Sequence, residues 1–244
     1  MNEKEMEIKA QADQFAKENK KRLAKELTDI SAYAPDESSI SVFMAGSPGA
    51  GKTEYSKNFI DDLEGRKKHK VIRIDADEFR RCIPGYTGTN SYLFQGAISI
   101  IVNAVHDLAL DQKQTFLMDG TLSNYDRAAQ NINWSLSRNR PVFIFYVYQK
   151  PEVAWKFTKA REVTEGRNIP KDVFIERFLS ARDVTLRIRK DFDQRVVIYL
   201  VKKDFETHAV EDIIKIEKDG LQIDHYIQER YTKDELEKLL WWSK

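Results

Sequence analysis

The chain has 244 residues, and 40 Lys and Arg against 39 Asp and Glu give it a formal net charge of +1. This balance argues against a dedicated nucleic-acid-binding protein, which normally carries a clear basic excess. Hydrophobic residues make up 41% of the chain, which excludes disorder over its whole length. Cys82 is the only cysteine, so neither an internal disulfide nor a cysteine-based zinc site can form. The polar N-terminus and the lack of an apolar run of about 18 residues predict a cytoplasmic protein without a membrane span.

Apolar patterning predicts an alternation of helices and strands. Residues 4–30 carry apolar side chains at three- and four-residue steps, which predicts an amphipathic helix. Compact apolar runs predict five buried strands, at 40–45, 71–74, 115–118, 142–148 and 196–201. Helical patterns follow or separate them, at 54–63, 91–110, 124–138, 151–165 and 171–190. This order indicates an α/β fold with a mostly parallel sheet and helices on both faces.

The pattern changes after residue 204. Two apolar segments, 213–217 and 221–227, flank Lys218-Asp219-Gly220, which predicts a β-hairpin. Thr232 is expected to cap a short helix, with Glu235 completing a capping box. We therefore predict a single domain with a helical lead-in (1–35), a core (36–204) and a C-terminal appendage (205–244).

A complete phosphate-binding motif, G-x-x-x-x-G-K-S/T, follows the first predicted strand and leads into a helix. Its glycines let backbone N–H groups converge on phosphate oxygens, and the helix N-terminus favours negative charge. Lys52 is expected to bridge the β- and γ-phosphates, and Thr53 to ligate Mg²⁺. The core is therefore predicted to be nucleotide-binding, with an ATP site formed by Gly46, Ser47, Pro48, Gly49, Ala50, Gly51, Lys52 and Thr53.

The motif indicates a nucleoside triphosphate but does not specify the reaction. The sequence has no Asn-Lys-x-Asp guanine reader and no Leu-Ser-Gly-Gly-Gln transporter signature, and it is too short for the tandem cores of a helicase. A small-molecule kinase that uses ATP as phosphoryl donor is the class that remains.

Carboxylates follow the next two strands, at the edge where open parallel sheets bind ligands. Asp77 is either the base that accepts a hydroxyl proton or the N-cap of the helix that follows. Asp75 is expected to brace the strand–loop junction. Arg80, one turn after Asp77, is either a binding group for an anionic substrate or a surface cation. Asp119 ends the third strand, where it can hold Mg²⁺ or a substrate hydroxyl.

Two arginines near the end of the helix predicted at 151–165 are candidates for a lid. Arg161 and Arg167 can stabilise phosphate charge during transfer, with Gly166 and Pro170 bounding a hinge. The alternative is that both are surface arginines in salt bridges.

These segments together resemble the zeta toxin family of P-loop kinases. The matching pieces are 46–53, 74–80, 119–121 and 161–170, with a further likeness at 19–28. The resemblance implies a phosphotransferase that uses ATP to phosphorylate the 3′-hydroxyl of the amino sugar in UDP-N-acetylglucosamine, and is restrained by an antitoxin. It implies that Asp77 is the base, that Arg161 and Arg167 clamp the phosphates, and that Asp119 and Thr121 face the sugar.

Two departures from the family pattern lie on the acceptor side. Plasmid-borne members carry Glu where Asp119 stands, and a His-Pro pair where this chain continues from Arg80 as Arg81-Cys82-Ile83-Pro84. Both leave the ATP chemistry intact and bear on the identity of the acceptor.

Two other classes of function remain open from the sequence. One is a kinase of another nucleoside, nucleotide or nucleic-acid end, favoured by the excess of Lys and Arg between residues 152 and 203. The other is an NTP-dependent switch with a protein partner, served by the N-terminal helix, the appendage or the Trp241-Trp242 tail. The N-terminal helix itself is either a structural element or a removable cover over the nucleotide cleft.

Overall fold

The computed structural model describes residues 1–67, 69–166, 168–203, 210–217, 221–227 and 230–240. The strands in this part of the chain are β1 (Ser41–Ala45), β2 (Ile72–Asp75), β3 (Phe116–Asp119), β4 (Val142–Tyr148), β5 (Val196–Lys203) and β6 (Val210–Lys215). The helices are α1 (Glu3–Leu27), α2 (Lys52–Lys67), α3 (Ala76–Arg80), α4 (Gln95–Asp111), α5 (Tyr125–Leu136), α6 (Pro151–Glu165), α7 (Lys171–Phe192), α8 (Leu221–Tyr226) and α9 (Lys233–Leu239).

The six strands form one sheet in the order β2-β3-β1-β4-β5-β6. The first five are parallel, and β6 runs antiparallel to β5. All five residues of the central strand β1 are buried, because helices cover both faces of the sheet. Val42 and Met44 belong to the apolar cluster that includes α2, whereas Phe43 and Ala45 belong to the larger cluster on the opposite face. The predicted mostly parallel α/β fold is confirmed.

Helix α1 packs along α4. Its buried positions are mostly small, with Ala12 and Ala16 at most 2% exposed, so the two helices approach closely. A Cβ added to Gly96 on α4 would lie 2.7 Å from Oδ1 of Asp13, which shows how little room separates them. At its start, α1 has a capping box, and Glu5 accepts a hydrogen bond from Tyr92.

The predicted C-terminal hairpin is wrong. Residues 213–215 end strand β6, which pairs antiparallel with β5, the strand before it in the chain, instead of with residues 221–227. Residues 221–226 form helix α8. The edge of β5 offers unpaired backbone groups, and pairing with them satisfies more hydrogen bonds than an isolated hairpin can. The predicted turn at 218–220 lies outside the described residues. Thr232 and Glu235 do form the predicted capping box at the start of α9. The division into lead-in, core and appendage stays a prediction.

One helical segment, Ser91–Asp111, is long and apolar enough to span a membrane, contrary to the expectation from the sequence. It comprises a 3₁₀ turn at Ser91–Phe94 followed by α4. Half of its apolar window is buried inside the molecule, where it packs against α1 and the sheet.

Candidate phosphoryl-transfer site

The phosphate-binding motif forms the loop between β1 and α2, and α2 begins at Lys52. Gly46 and Gly49 have φ values of +136° and +71°, which L-residues with a side chain rarely adopt. Added Cβ atoms at these two positions would lie 2.3 Å from the carbonyl oxygen of Val147 and 2.0 Å from that of Ala154. The loop therefore requires glycine for both conformation and space. The Lys52 ammonium donates to the carbonyl oxygen of Ser47 at 2.6 Å and so folds back over the loop.

A cavity of 1010 Å³ opens beside this loop. It lies at the carboxyl ends of the parallel strands, beside β1. At this point the chain, which has placed β2 and β3 on one side of β1, crosses over to place β4 on the other side. Its walls bring together most of the residues singled out from the sequence: Pro48, Gly49, Ala50, Gly51, Lys52, Thr53, Asp75, Asp77, Arg80, Asp119, Thr121 and Arg161. Arg167 lies outside the described residues.

Asp75 and Asp77 have different positions at the start of α3. The Asp75 side chain caps the helix by accepting from the backbone N–H of Asp77 at 2.8 Å. The interpretation of Asp77 as the helix cap is therefore wrong, because Asp75 already occupies that position. The carboxylate of Asp77 pairs with Arg80 and is 30% exposed, so it is accessible from the cavity.

Arg73 joins three carboxylates below the cavity. Its Nη2 atom donates to Oδ2 of both Asp75 and Asp119 at 2.6 Å, and its Nη1 atom pairs with Glu78. Burial and the neighbouring charge of Asp119 raise the pKa of Asp75 to about 6. Ser56 also donates to Asp119 Oδ2, at 2.9 Å. The two strand-end carboxylates are thus held in fixed positions by one arginine.

The oxygen atoms present suit Mg²⁺, which binds through one or two carboxylates together with substrate phosphates. Asp119 Oδ1 accepts no hydrogen bond from the described part of the chain, and the Thr53 hydroxyl belongs to the same cavity. No group of three or more His, Cys, Asp or Glu side chains that could hold a metal occurs among the described residues. A magnesium ion here would therefore depend on nucleotide phosphates for most of its ligands.

The remaining predicted residues line the acceptor and lid sides of the cavity. The Thr121 hydroxyl lies 2.9 Å from that of Ser123, and the Thr121 carbonyl accepts from the Gly46 N–H at 3.2 Å. Arg161 lies on α6, which ends at Gly166 in the left-handed conformation, as a helix-terminating glycine does. The predicted hinge residue Gly166 therefore marks a real break between α6 and α7.

Among the cavity residues that the sequence analysis missed are the cations Lys203 and Arg177. Lys203 ends β5, pairs with Glu54 at 2.8 Å and packs against the backbone of Gly51. Its place at the carboxyl end of a parallel strand is a signal that could have identified it. Arg177 lines the cavity from α7. Its spacing does not distinguish it from Arg182 or Arg187 on the same helix, so no sequence signal marked it.

A family model described as Zeta toxin matches residues 24–212 of the chain. A comparison with curated proteins gives no match. Among solved structures, a chain of the PezAT chromosomal toxin-antitoxin system of Streptococcus pneumoniae has a TM-score of 0.66 at 14% identity. That match covers 98% of this chain and 93% of the other.

Two further structural matches are crystal structures of the AvrRxo1-ORF1:ORF2 complex. The structure with sulphate ions has a TM-score of 0.59 at 15% identity, and covers 93% of this chain and 74% of the other. The structure with ATP has a TM-score of 0.58 at 14% identity, and covers 93% and 73%. At such low identity these likenesses establish the shared fold.

Proposed function

This chain belongs to the Zeta toxin family, and on that premise we propose that it transfers the γ-phosphoryl group of ATP to the 3′-hydroxyl of UDP-N-acetylglucosamine. The observation that carries the proposal is the shared cavity, which brings Lys52 of the phosphate loop and the accessible carboxylate of Asp77 to one space. A nucleotide-dependent switch requires the phosphate-binding Lys52 but does not require a carboxylate base such as Asp77.

The donor side is built for the phosphates of ATP. The loop of residues 46–53 offers backbone N–H groups and the N-terminus of α2, and Lys52 supplies a point charge for the β- and γ-phosphates. Arg161 lies across the same cavity, where its guanidinium can stabilise the phosphoryl group in transit. The presence of ATP in one of the structural neighbours supports this choice of donor.

The chemical step needs a base on the acceptor side. The acceptor hydroxyl oxygen forms a bond to the γ-phosphorus while the bond from that phosphorus to the β–γ bridging oxygen breaks. The hydroxyl proton passes to the carboxylate of Asp77, and the bond electrons leave with ADP. When bound, Mg²⁺ would neutralise charge on the phosphates, and Thr53 and Asp119 would hold it.

The acceptor side offers hydrogen-bonding groups of the kind a sugar nucleotide requires. Thr121 and Asp119 provide a hydroxyl and a carboxylate, and Arg80 provides a cation. Asp119 is fixed by Arg73 and is one methylene shorter than the Glu of plasmid-borne members, so the sugar must sit closer to β3. A kinase acting on another nucleotide or on a nucleic-acid end is the alternative, and it has the same donor site.

An antitoxin is the partner that we propose for this kinase. The PezAT structure comes from a toxin–antitoxin system, which supports a separate inhibitory protein. Inhibition by the chain's own N-terminal helix has less support, because α1 packs on α4 and no described residue of α1 lines the cavity.

The experiment is an incubation of the purified protein with Mg²⁺, ATP and UDP-N-acetylglucosamine, followed by mass spectrometry of the nucleotides. We expect a UDP-N-acetylglucosamine species heavier by one phosphoryl group. Lys52→Ala should abolish it, whereas Lys70→Ala, which removes an exposed lysine outside the cavity, should retain it. If UDP-N-acetylglucosamine is unchanged, a parallel incubation with a metabolite extract identifies the acceptor. Equal turnover by the wild type and the Lys52→Ala variant would contradict the kinase assignment.

A further inference from the structure

Phe157 on α6 contributes an aromatic ring to the wall of the cavity, and the ring is 36% exposed. Ile169, the other large apolar side chain in the described part of the lining, is only 9% exposed. Trp155, two residues before Phe157 on the same helix, is buried against Phe174. The exposed part of an aromatic ring inside a cavity gains free energy when a flat apolar group of a ligand covers it.

The packing of α6 fixes the position of Phe157 relative to the phosphate loop. The helix contacts the loop at Gly49, where an added Cβ would lie 2.0 Å from the carbonyl oxygen of Ala154 and 2.7 Å from Oγ1 of Thr158. Phe157 precedes Arg161 by four residues, so the two side chains share one face of α6, and both line the cavity. The ring therefore lies one helical turn from the guanidinium that we propose to contact the phosphates.

The order of the strands separates the two ends of a bound donor nucleotide. Asp77 follows β2 and Asp119 ends β3, and both strands lie on one side of β1 and its phosphate loop. In an in-line transfer the attacking hydroxyl and the leaving ADP are on opposite sides of the γ-phosphorus, so the donor nucleoside extends away from these carboxylates. On the other side of β1, the cavity is bordered by α6, which follows β4, and by Lys203 at the end of β5. The donor nucleoside is therefore expected beside Phe157.

We propose that Phe157 is the platform on which the nucleobase of the phosphoryl donor stacks, in a base subsite between α6 and the end of β5. The inference rests on the proposed phosphoryl transfer from ATP and adds the group that recognises the adenine ring. Contacts to phosphate alone do not distinguish ATP from inorganic tripolyphosphate, whereas a stacking ring adds affinity that only a nucleotide gains. UDP-N-acetylglucosamine also carries a base, so the binding test omits the acceptor.

The test compares three variants on α6. Phe157→Ala removes the ring, and Phe157→Tyr keeps an aromatic ring at the same position. Val163→Ala is the control, because it removes apolar surface from a position that is 87% exposed and outside the cavity lining. Each protein is titrated by calorimetry with a non-hydrolysable ATP analogue and, separately, with inorganic tripolyphosphate, both in the presence of Mg²⁺.

We expect Phe157→Ala to bind the ATP analogue about 5- to 150-fold more weakly than the wild type, because a base–aromatic stack is lost. Its affinity for tripolyphosphate should be unchanged, since the phosphate loop is intact. Phe157→Tyr and Val163→Ala should bind both ligands nearly as tightly as the wild type. An equal loss of affinity for both ligands in Phe157→Ala, or an unchanged affinity for the ATP analogue, would overturn the base subsite.

A kinetic measurement assigns the base to the donor or to the acceptor. In transfer to UDP-N-acetylglucosamine, Phe157→Ala should raise KM for ATP and leave KM for the acceptor unchanged. A rise in KM for the acceptor alone would assign the ring to the uracil of the acceptor and overturn the inference. If the wild type transfers nothing to UDP-N-acetylglucosamine, the proposed acceptor is wrong, and the two titrations, which need no acceptor, still decide the base subsite.

Discussion

Arg73 on β2 and Asp119 on β3 form a buried ion pair, in which Nη2 donates to Oδ2 at 2.6 Å. Their side chains are only 10% and 4% exposed. Asp75 and Asp119 lie opposite each other in the parallel register of the two strands, and the same Nη2 atom also binds Asp75. One guanidinium group thus holds the edge strand of the sheet to its neighbour directly below the cavity.

We predict that Arg73→Met lowers the free energy of unfolding by about 3–5 kcal/mol, because it leaves two buried carboxylates without their cation. Urea denaturation monitored by circular dichroism measures this change. Arg22→Met is the matched control, since the Arg22–Glu26 pair is more than half exposed, and it should change the free energy by at most about 1 kcal/mol. Similar effects of both substitutions would show that the Arg73 pair contributes no more than a surface contact.

We predict that the folded protein loses stability in acid because His106 is buried. Burial, followed by the charges of Arg140 and Arg138, lowers the pKa of His106 to about 4. The unfolded chain has a histidine pKa near 6.5 and therefore binds the proton more readily. The stability that His106 contributes is complete above pH of about 6.5 and falls by about 3 kcal/mol as the pH drops to 4.

The variant His106→Phe isolates this effect, because the ring lies edge-on to Phe43 and Phe116 and a phenyl ring preserves that packing. We expect the free energy of unfolding of His106→Phe to fall less than that of the wild type between pH 7 and pH 4. His69→Phe, at an exposed position, should retain the wild-type pH dependence. A parallel loss of stability in His106→Phe and the wild type would contradict a neutral, buried His106.

Helix α1 is predicted to be required for folding and not to regulate the site. Ala16→Glu places a charge at a position with no exposed surface against α4, so it should destabilise the protein by several kcal/mol. Ala10→Glu lies on the exposed side of the same helix and should be nearly neutral. Thermal unfolding of the two full-length variants measures the difference.

Deletion of residues 1–30 provides the complementary test. We expect an insoluble or unstable fragment, since the buried face of α4 against α1 would be exposed to water. A folded fragment with faster ATP-dependent transfer would instead support the interpretation of α1 as a removable cover.

Local patterns were sufficient to predict most of the fold. The boundaries of β4 and α6 match the predicted 142–148 and 151–165, because continuous apolar runs and a proline at the helix start are local signals. Strand β6 was predicted to form a hairpin with residues 221–227, whereas it pairs with β5, the strand before it, because a turn motif alone does not decide which of two sequence neighbours a strand pairs with.

The site was predictable where a motif spans consecutive residues and not where the fold assembles it. The loop at 46–53 could be recognised from its motif alone, and the carboxylates after β2 and β3 gained their weight from standing beside that motif. Arg73 and Arg177 could not be recognised, because a charged residue inside a strand or a helix gives no indication of its partner. Arg73 meets Asp119 only through the parallel pairing of β2 with β3, and Arg177 reaches the cavity only through the packing of α7.

The single-turnover rate of phosphoryl transfer by Asp77→Asn, measured beside ATP affinity, tests the role of the base most directly. Asn has nearly the same size as Asp but cannot accept the hydroxyl proton, and Asp75 continues to cap α3. We predict normal folding, unchanged ATP binding and a rate lower by about 10²- to 10⁴-fold. Asp75→Ala is the control for a structural effect and should instead lose stability, at least about 0.5–2 kcal/mol from its cap, because it also removes the ion pair with Arg73. A wild-type transfer rate in Asp77→Asn would contradict the assignment of Asp77 as the base.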